Sequence, residues 1–243
     1  MIDRHLDITT PHGVMNTFVT HPDEGGPHPV VFFYMDAPGK REELHDMARR
    51  LATAGYFVVL PNLYYRNVRE FNVFAGVPGQ GRTAMVELMS SLSDELVASD
   101  TEAMFDFVDH DVAADSARIG AMGYCMSGPF AFAVACLFPD RIKAAASLHG
   151  VRLFGPGSPA SLAPQARGEL YFACAQFDEW APVEMVDGLA SYLQQIRANA
   201  RVEWYPGVHH GFTFAERGEG IYDKPSSERH WERLHALFSR NLH

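Results

Sequence analysis

The sequence predicts an α/β fold in which helices cover both faces of a mostly parallel central sheet. The first observation behind this prediction is the order of the elements. From residue 28 to the C-terminus, short apolar runs typical of buried strands alternate with segments of helical periodicity. The second observation is size, because a chain of 243 residues that is 47% hydrophobic can bury a large core.

The strands are predicted from runs rich in β-branched and aromatic residues that end at turn-forming residues. The clearest run is "HPVVFFYM" at 28–35, which is followed by the turn sequence Asp-Ala-Pro-Gly. Near the N-terminus, "HLDITT" and "GVMNTFVTH" predict an antiparallel hairpin at one edge of the sheet. Runs of the same kind as 28–35 predict further strands at 56–65, 118–125, 143–150, 169–178 and 201–207.

The helices are predicted from apolar residues that recur three and four positions apart. In "REELHDMARRLATAG", Leu44, Met47 and Leu51 share one face, and Gly55 is a C-terminal stop signal. The least regular segment is 66–93, which we interpret as part of a substrate pocket or a cover over it. Further helices are predicted at 94–109, 128–138, 182–197 and 226–242.

Composition and charge narrow the classes of protein. A net charge of -10 argues against nucleic acid or an anionic membrane as partner. No apolar run reaches the roughly 18 residues of a membrane helix, and the N-terminus lacks the basic and apolar regions of a signal peptide. Three cysteines without framework spacing favour a reducing compartment. We therefore expect a cytoplasmic enzyme or binding protein.

One cysteine lies where a predicted strand meets the next helix. In "GYCMSG" (123–128), small residues flank Cys125 as in the nucleophile elbow of hydrolases, with cysteine in place of serine. The amide of Met126 and the positive end of the helix are expected to face the thiol, which favours the thiolate. The alternative is a small buried apolar cysteine, an interpretation that fits Cys136 and Cys174.

Possible partners of Cys125 follow in the order acid, then histidine, that this architecture uses. Asp178 follows one predicted strand, in "FDEWAP", and His209 and His210 follow the last one, in "VHHGF". Taken alone, Asp178 could cap a helix and the histidines could be a surface pair. Ligands of parallel sheets bind beyond the carboxyl ends of the strands, so the joint occurrence favours a triad. His149, in "SLHG", reaches the same edge as a pocket-lining or packing residue.

These motifs, with "MDAPG", "PNLYYR" and "FPDR", resemble the dienelactone hydrolase family of α/β-hydrolases from about Val30 to Phe238. The resemblance implies one α/β-hydrolase domain over residues 1–243. It implies Cys125 as nucleophile, Asp178 as orienting acid and His210 as base, because His210 directly precedes the Gly-Phe pair at which the family keeps its histidine. The activity implied is hydrolysis of a small-molecule carboxylic ester or lactone.

The resemblance also assigns the loop after the first central strand. Family members carry there an acidic residue that hydrogen-bonds the resting thiol, and the next amide completes the oxyanion hole with the Met126 amide. These positions hold Asp36, where the prototype has the longer glutamate, and Ala37.

The substrate contacts of the prototype are matched only in part. Prototype members hold a substrate carboxylate with arginines, one soon after the histidine, where this chain has 212–215 without arginine. Arg66 and Arg82 are the remaining candidates, and each also fits a structural role. We therefore expect uncharged or weakly anionic esters with apolar bodies, near the aromatic residues Tyr64, Tyr65, Trp180, Phe212 and Phe214.

The proposed chemistry needs no cofactor and no metal, and the histidines lack the H-E-x-x-H type of ligand spacing. Two other classes are compatible with the fold: a non-catalytic ligand-binding protein and a thiol-redox protein. The redox alternative calls for a resolving cysteine. Cys136 follows Cys125 by about three helical turns, too far along the helix to resolve it.

Overall fold

The structure, a computed structural model, describes all residues from Met1 to His243. Eight strands form one mostly parallel, mixed sheet in the order β1-β2-β4-β3-β5-β6-β7-β8, which confirms the predicted fold class. The strands are β1 Ile2–Thr10, β2 Gly13–His21, β3 His28–Tyr34, β4 Phe57–Pro61, β5 Ala114–Tyr124, β6 Ile142–Leu148, β7 Glu169–Phe177 and β8 Ala200–His209.

Six α-helices connect the strands. Their bounds are α1 Glu42–Thr53, α2 Arg82–Ser90, α3 Asp94–His110, α4 Gly128–Leu137, α5 Val183–Gln195 and α6 Lys224–Leu242. No helix combines the length and the apolar character needed to cross a bilayer. The chain divides into two compact units, residues 1–119 and 120–243. The single domain expected over 1–243 stays a prediction.

The first unit holds the antiparallel edge of the sheet. β1 and β2 form the predicted hairpin, with Ile2 opposite His21 and Thr10 opposite Gly13. β2 is antiparallel to β4, and β4 is parallel to β3. Every residue of β3 and β4 is buried. Because both faces of these two strands are covered, neither face needs polar residues, and the sequences of β3 and β4 are therefore almost continuously apolar.

The second unit is built around α4. All residues from Gly128 to Cys136 are buried, so this helix is apolar on every side rather than amphipathic. β6 pairs in parallel with β7, and β7 with β8. α6 packs directly against β5 at Gly120, where an added Cβ would lie 2.8 Å from the ring of Phe238. The carboxyl ends of β5, β6, β7 and β8 therefore lead into the loops that carry the predicted site residues of this unit.

Several predicted bounds differ from the structure; for example, the strand predicted at 118–125 begins at Ala114. The strand predicted at 56–65 ends at Pro61, because proline cannot donate to a ladder and the chain turns there. The Asn62 amide then donates to the carbonyls of Val68 and Arg69 and organises the following loop. Segment 66–93, predicted as the least regular part of the chain, contains α2, which was not predicted.

Candidate active site

Cys125 occupies a strained turn. It directly follows β5 and begins a short 3₁₀ turn, Cys125–Ser127, that leads into α4. Its φ of 54° lies in the left-handed region, which non-glycine residues rarely adopt. Strain of this kind persists only where the surrounding structure holds the backbone in place. A strained turn between a strand and a helix is the geometry expected of a nucleophile elbow.

The small residues around Cys125 are required by close backbone contacts. A Cβ on Gly123 would lie 2.1 Å from the carbonyl oxygen of Ser127, and one on Gly128 would lie 2.5 Å from Cα of Gly150. Both distances are shorter than any real carbon contact. The turn therefore closes only with glycine at these two positions, as the sequence pattern indicated.

Asp178 and His210 are held together at the ends of β7 and β8. His210 Nδ1 lies 2.7 Å from Asp178 Oδ2. The other carboxylate oxygen, Oδ1, accepts hydrogen bonds from the amides of Trp180 at 2.9 Å and Ala181 at 3.1 Å. These two amides fix the carboxylate, which in turn fixes the imidazole with a proton on Nδ1 and leaves Nε2 for chemistry.

The surroundings of His210 favour its protonated form. Burial opposes the charge, but the hydrogen bond to Asp178 and the interaction with the Cys125 thiol outweigh it and raise the pKa of His210 to about 10. Nε2 is buried and makes no hydrogen bond of normal geometry. The thiol is thus close enough to act on the imidazole electrostatically, without the tight alignment that catalytic hydrogen bonds often acquire only with substrate bound.

The structure distinguishes the two adjacent histidines. His209 is the last residue of β8, is exposed, and packs against Phe177 with ring centroids 5.4 Å apart. His210 points the other way, and Gly211 at φ 85° turns the backbone directly after it. Only His210 contacts Asp178.

His149 packs against His210, with ring centroids 4.9 Å apart in an edge-to-face arrangement. Its Nε2 lies 2.9 Å from Thr213 Oγ1, while its buried Nδ1 has no partner. Burial, and next the proximity of His210, lower the pKa of His149 well below its ordinary value. The neutral ring of His149 therefore packs against the imidazole of His210 and limits its movement.

A second buried histidine, His230, holds the residue that precedes Cys125. His230 Nδ1 donates to the carbonyl of Ser227, so its Nε2 accepts the hydroxyl hydrogen of Tyr124 at 2.9 Å. Tyr124 directly precedes Cys125. Neither Thr213 nor His230 was predicted. Thr213 lies in a loop and His230 in a helix, and only the folded chain brings them next to His149 and Tyr124.

In the first unit, the loop after β3 is fixed by its neighbours. Arg41 donates to Asp36 at 2.5 Å, and both side chains are fully buried. The Tyr64 hydroxyl donates to the carbonyl of Ala37 at 2.9 Å. Sequence reasoning missed Arg41, although its position five residues after an acidic turn residue was visible. The predicted contact of Asp36 with the thiol stays a prediction. The Asp36 carboxylate accepts a hydrogen bond from Arg41.

The other predicted contacts have different environments. Arg66 forms a two-pronged ion pair with buried Asp100, with distances of 2.7 and 3.0 Å, which gives it a structural role. Arg82 is exposed at the start of α2. Trp180 is 53% exposed beside Asp178, whereas Phe212 is fully buried against Tyr205 and His149. Phe212 therefore supports the site from the core.

The remaining cysteines lie in a different environment. Cys136 and Cys174 are buried, whereas Cys125 is partly exposed. Burial raises the pKa of both Cys136 and Cys174 to about 12, so neither forms a thiolate near neutral pH. This contrast disfavours a redox pair built on Cys125.

A mostly parallel eight-stranded sheet with a strained turn after β5 and a His–Asp pair at the ends of the last two strands defines the α/β-hydrolase class. The sequence narrows the class further, because it matches the model of the Dienelactone hydrolase family over residues 15–242. The chain belongs to this family, and the predicted family is confirmed.

Individual relatives agree with this assignment. A protein named "Putative carboxymethylenebutenolidase" from Methylorubrum extorquens is 27% identical, over 98% of this chain and 81% of that protein. A protein of the same name from a Synechocystis strain is 25% identical, over 93% of this chain and 91% of that protein. The crystal structure of a "Putative Dienelactone Hydrolase" from Klebsiella pneumoniae subsp. pneumoniae is 25% identical and superposes with a TM-score of 0.86 over 98% of both chains. The chain is accordingly a hydrolase of the dienelactone hydrolase type.

Proposed function

We propose that this hydrolase cleaves carboxylic esters or lactones with Cys125 as nucleophile, His210 as general acid and base, and Asp178 as the orienting carboxylate. The observation that carries the proposal is the environment of His210. One ring nitrogen is bound by Asp178 at 2.7 Å, and interaction with Cys125 contributes to the raised pKa of the imidazole. A histidine between a carboxylate and a thiol is equipped to move a proton between sulfur and substrate.

In the first half of the reaction, the Cys125 thiolate attacks the carbonyl carbon and forms a carbon–sulfur bond. The carbonyl oxygen becomes an oxyanion, which the Met126 amide stabilises; the family resemblance adds the Ala37 amide. Each such donor contributes roughly 3 kcal/mol to the transition state. The tetrahedral species then collapses, the ester carbon–oxygen bond breaks, and protonated His210 gives its proton to the departing alkoxide. The product on the enzyme is a thioester.

In the second half, neutral His210 takes a proton from water as the water oxygen attacks the thioester carbonyl. The carbon–sulfur bond breaks and the carboxylic acid product is released. The thiolate of Cys125 and the imidazolium of His210 are restored. Asp178 keeps one tautomer of His210 throughout and stabilises its charged form.

The proposed substrates are uncharged or weakly anionic esters with apolar bodies. Arg66 is neutralised by Asp100, which removes one of the cations that could hold a carboxylate. Trp180 offers exposed aromatic surface next to the catalytic carboxylate. The relatives named as carboxymethylenebutenolidases make dienelactones the second substrate class. A kcat/KM for dienelactone well above that for phenyl acetate would favour this second class and point to Arg82 as a carboxylate contact.

The test is hydrolysis of phenyl acetate by the native enzyme and by Cys125→Ala. Loss of a triad nucleophile should lower kcat by several orders of magnitude. The matched control is Cys136→Ala, which removes a buried thiol from the next helix and should retain most of the activity. Full activity in folded Cys125→Ala would exclude the mechanism. Circular dichroism checks that both variants are folded.

A further inference from the structure

The turn after β3 carries a backbone amide that has no partner within its unit. Residues 36–39 form a β-turn in which the Gly39 amide donates to the carbonyl of Asp36 at 3.2 Å. The Asp36 carbonyl and the Ala37 N–H belong to one planar trans peptide group, so this N–H points away from the inside of the turn. Within the first unit it donates to no other group, although Ala37 is only 3% exposed. Buried amides without a partner are rare, so this donor is suited to a ligand oxygen.

The peptide group on the other side of Ala37 is fixed by Tyr64, whose hydroxyl donates to the Ala37 carbonyl at 2.9 Å. The next residue is Pro38, whose ring fixes its own φ. The Pro38 carbonyl in turn accepts a hydrogen bond from the Val73 amide at 3.0 Å. Both peptide planes that flank Ala37 are therefore held, one by the turn and one by Tyr64. A shift of the second plane would move Ala37 and redirect its N–H.

Tyr64 is itself held firmly. Its side chain is fully buried, and its ring packs edge-on against Phe71 with centroids 5.8 Å apart. Its amide donates to the side-chain oxygen of Asn62 at 3.0 Å, and its carbonyl accepts from the amides of Asn67 and Val68. A fully buried ring offers little surface to a substrate, which favours a supporting role for Tyr64.

The same turn is braced by the loop that follows β4. A Cβ on Gly39 would lie 2.2 Å from the carbonyl oxygen of Phe71, so the two backbones can approach only with glycine at this position. Gly39 also has a φ of 100°, which side chains disfavour. Arg41 donates to the Gly39 carbonyl at 3.2 Å and to the Asp36 carboxylate. The turn is therefore fixed before any substrate binds.

We propose that Tyr64 is a positioning residue that orients the Ala37 amide for the oxyanion of the reaction. This inference rests on the proposed function, in which the Ala37 amide is the second oxyanion donor. A donor that is fixed in advance needs no reorganisation in the transition state, and a small misplacement of such a group lowers the rate strongly. Tyr64 then affects the steps in which charge develops on oxygen, and it leaves substrate binding and the reactivity of the thiol unchanged.

The experiment compares two reactions of Cys125, one that forms an oxyanion and one that does not. With trifluoroacetophenone, the thiolate adds to the carbonyl carbon, a carbon–sulfur bond forms, and the carbonyl electron pair moves to oxygen as an oxyanion. With iodoacetamide, the thiolate displaces iodide and no oxyanion forms. Inhibition by the ketone therefore reports the oxyanion donors, and the rate of alkylation reports the thiol.

The test variant is Tyr64→Phe, which keeps the ring and removes the hydroxyl. The matched control is Tyr34→Phe, which removes another fully buried tyrosine hydroxyl, bonded to Thr101 at 2.7 Å rather than to the turn. Phe71→Leu is a second test variant, because it removes the ring against which Tyr64 packs. It keeps the inference testable even if Tyr64→Phe does not fold.

Tyr64→Phe should lower kcat for phenyl acetate by at least about tenfold with KM nearly unchanged, because the Ala37 amide is retained but less well oriented. Inhibition by trifluoroacetophenone should weaken by a similar factor, and the rate of alkylation should stay near that of the native enzyme. Phe71→Leu should change kcat and inhibition in the same direction. Tyr34→Phe should match the native enzyme in all these measurements.

The inference is overturned if folded Tyr64→Phe, or Phe71→Leu in its place, keeps native kcat and native inhibition. It is also overturned if alkylation slows as much as turnover, which would place the effect on the thiol, or if only KM rises, which would make Tyr64 a substrate contact. Failure of the proposed function has a different signature. In that case the native enzyme would stay active after alkylation of Cys125 and would not be inhibited by trifluoroacetophenone.

Discussion

At the scale of single residues, the side chains proposed to do the chemistry are each fixed by a specific partner. Asp178 is held by two backbone amides, His210 is held by Asp178, and Cys125 is held in a left-handed conformation by the turn. Proximity and orientation of this kind can contribute a large part of the barrier reduction in an enzyme. The consequence is that neighbouring residues of the same type should not be interchangeable.

The two adjacent histidines test this consequence. His210→Ala should lose several orders of magnitude in kcat, because it removes the proposed base that is bound to Asp178. His209→Ala removes only an exposed ring that packs on Phe177, and it should retain a measurable fraction of the native rate. The measurement is kcat of both folded variants on phenyl acetate. The opposite ranking would transfer the role of base to His209.

His149 is expected to act as a positioning residue. His149→Phe keeps an aromatic ring against His210 but loses the hydrogen bond to Thr213. A lost buried hydrogen bond is worth about 1 kcal/mol, so kcat should fall about five- to tenfold with KM nearly unchanged. Thr213→Val removes the same hydrogen bond from the other side and should reproduce the effect. An unchanged kcat in both variants would show that His149 only fills space.

Much of this site could be predicted from the sequence, and the reason is local. The glycines around Cys125, the order of Asp178 and His210, and the Gly-Phe pair after His210 are all short-range patterns. Arg41, Thr213 and His230 could not be predicted, because their roles depend on long-range packing. The burial of Phe212 could not be predicted either, because an aromatic residue in a loop can line a pocket or belong to the core.

At the scale of elements, the junction between β5 and α4 is the most constrained part of the second unit. Gly128 begins α4 and lies close to Ser147, near the carboxyl end of β6, and to Gly150, in the loop that follows. The start of the helix and the loop that follows β6 therefore approach each other backbone to backbone. Such an approach excludes any side chain at Gly128.

Gly128→Ala should destabilise the protein. The added Cβ would lie 2.4 Å from Ser147 Oγ and 2.5 Å from Cα of Gly150, and the second atom is backbone that cannot rotate away. Overpacking of this kind costs about 1 to 3 kcal/mol, a fall in Tm of several degrees for a chain of this size. Gly81→Ala is the control, because nothing lies within 4 Å of its Cβ position. Equal melting temperatures for the two variants would show that the junction is more adaptable than the structure indicates.

The elements themselves were predicted well where both faces are buried and less well at the connections. β3 and α4 are continuous apolar runs with clear ends, and their observed bounds lie within one residue of the predicted ones. The strand predicted at 56–65 was too long because Pro61 interrupts an otherwise apolar and aromatic run. α2 was missed because it has no buried residue and hence no strong periodic signal.

At the scale of the whole molecule, the raised pKa of His210 links the proposed chemistry to stability. The pKa rises from its ordinary value of 6.5 to about 10, so the folded state binds this proton more tightly than the unfolded state does. The stabilisation from His210 is fully present below pH 6.5 and is lost as pH rises through about 10. Native protein should therefore lose free energy of unfolding across this window relative to His210→Gln.

Chemical denaturation at a series of pH values measures that difference. The gap in free energy of unfolding between native protein and His210→Gln should narrow steadily between pH 6.5 and about 10. His209→Gln is the matched control, and its gap to the native protein should stay nearly constant. A constant gap for His210→Gln would mean that the imidazole is not held as a cation in the folded protein.

Catalysis through a thioester on Cys125 can be tested by intact-protein mass spectrometry. Native enzyme mixed with p-nitrophenyl acetate and quenched in acid within the first turnovers should gain one acetyl group, because covalent catalysis accumulates or at least populates the acyl-enzyme. Digestion should place the acetyl group on the peptide that contains Cys125, and His210→Ala, slow to deacylate, should retain it longer. An acetyl group on a different residue, or full turnover by Cys125→Ala without any acyl-enzyme, would exclude Cys125 as the nucleophile.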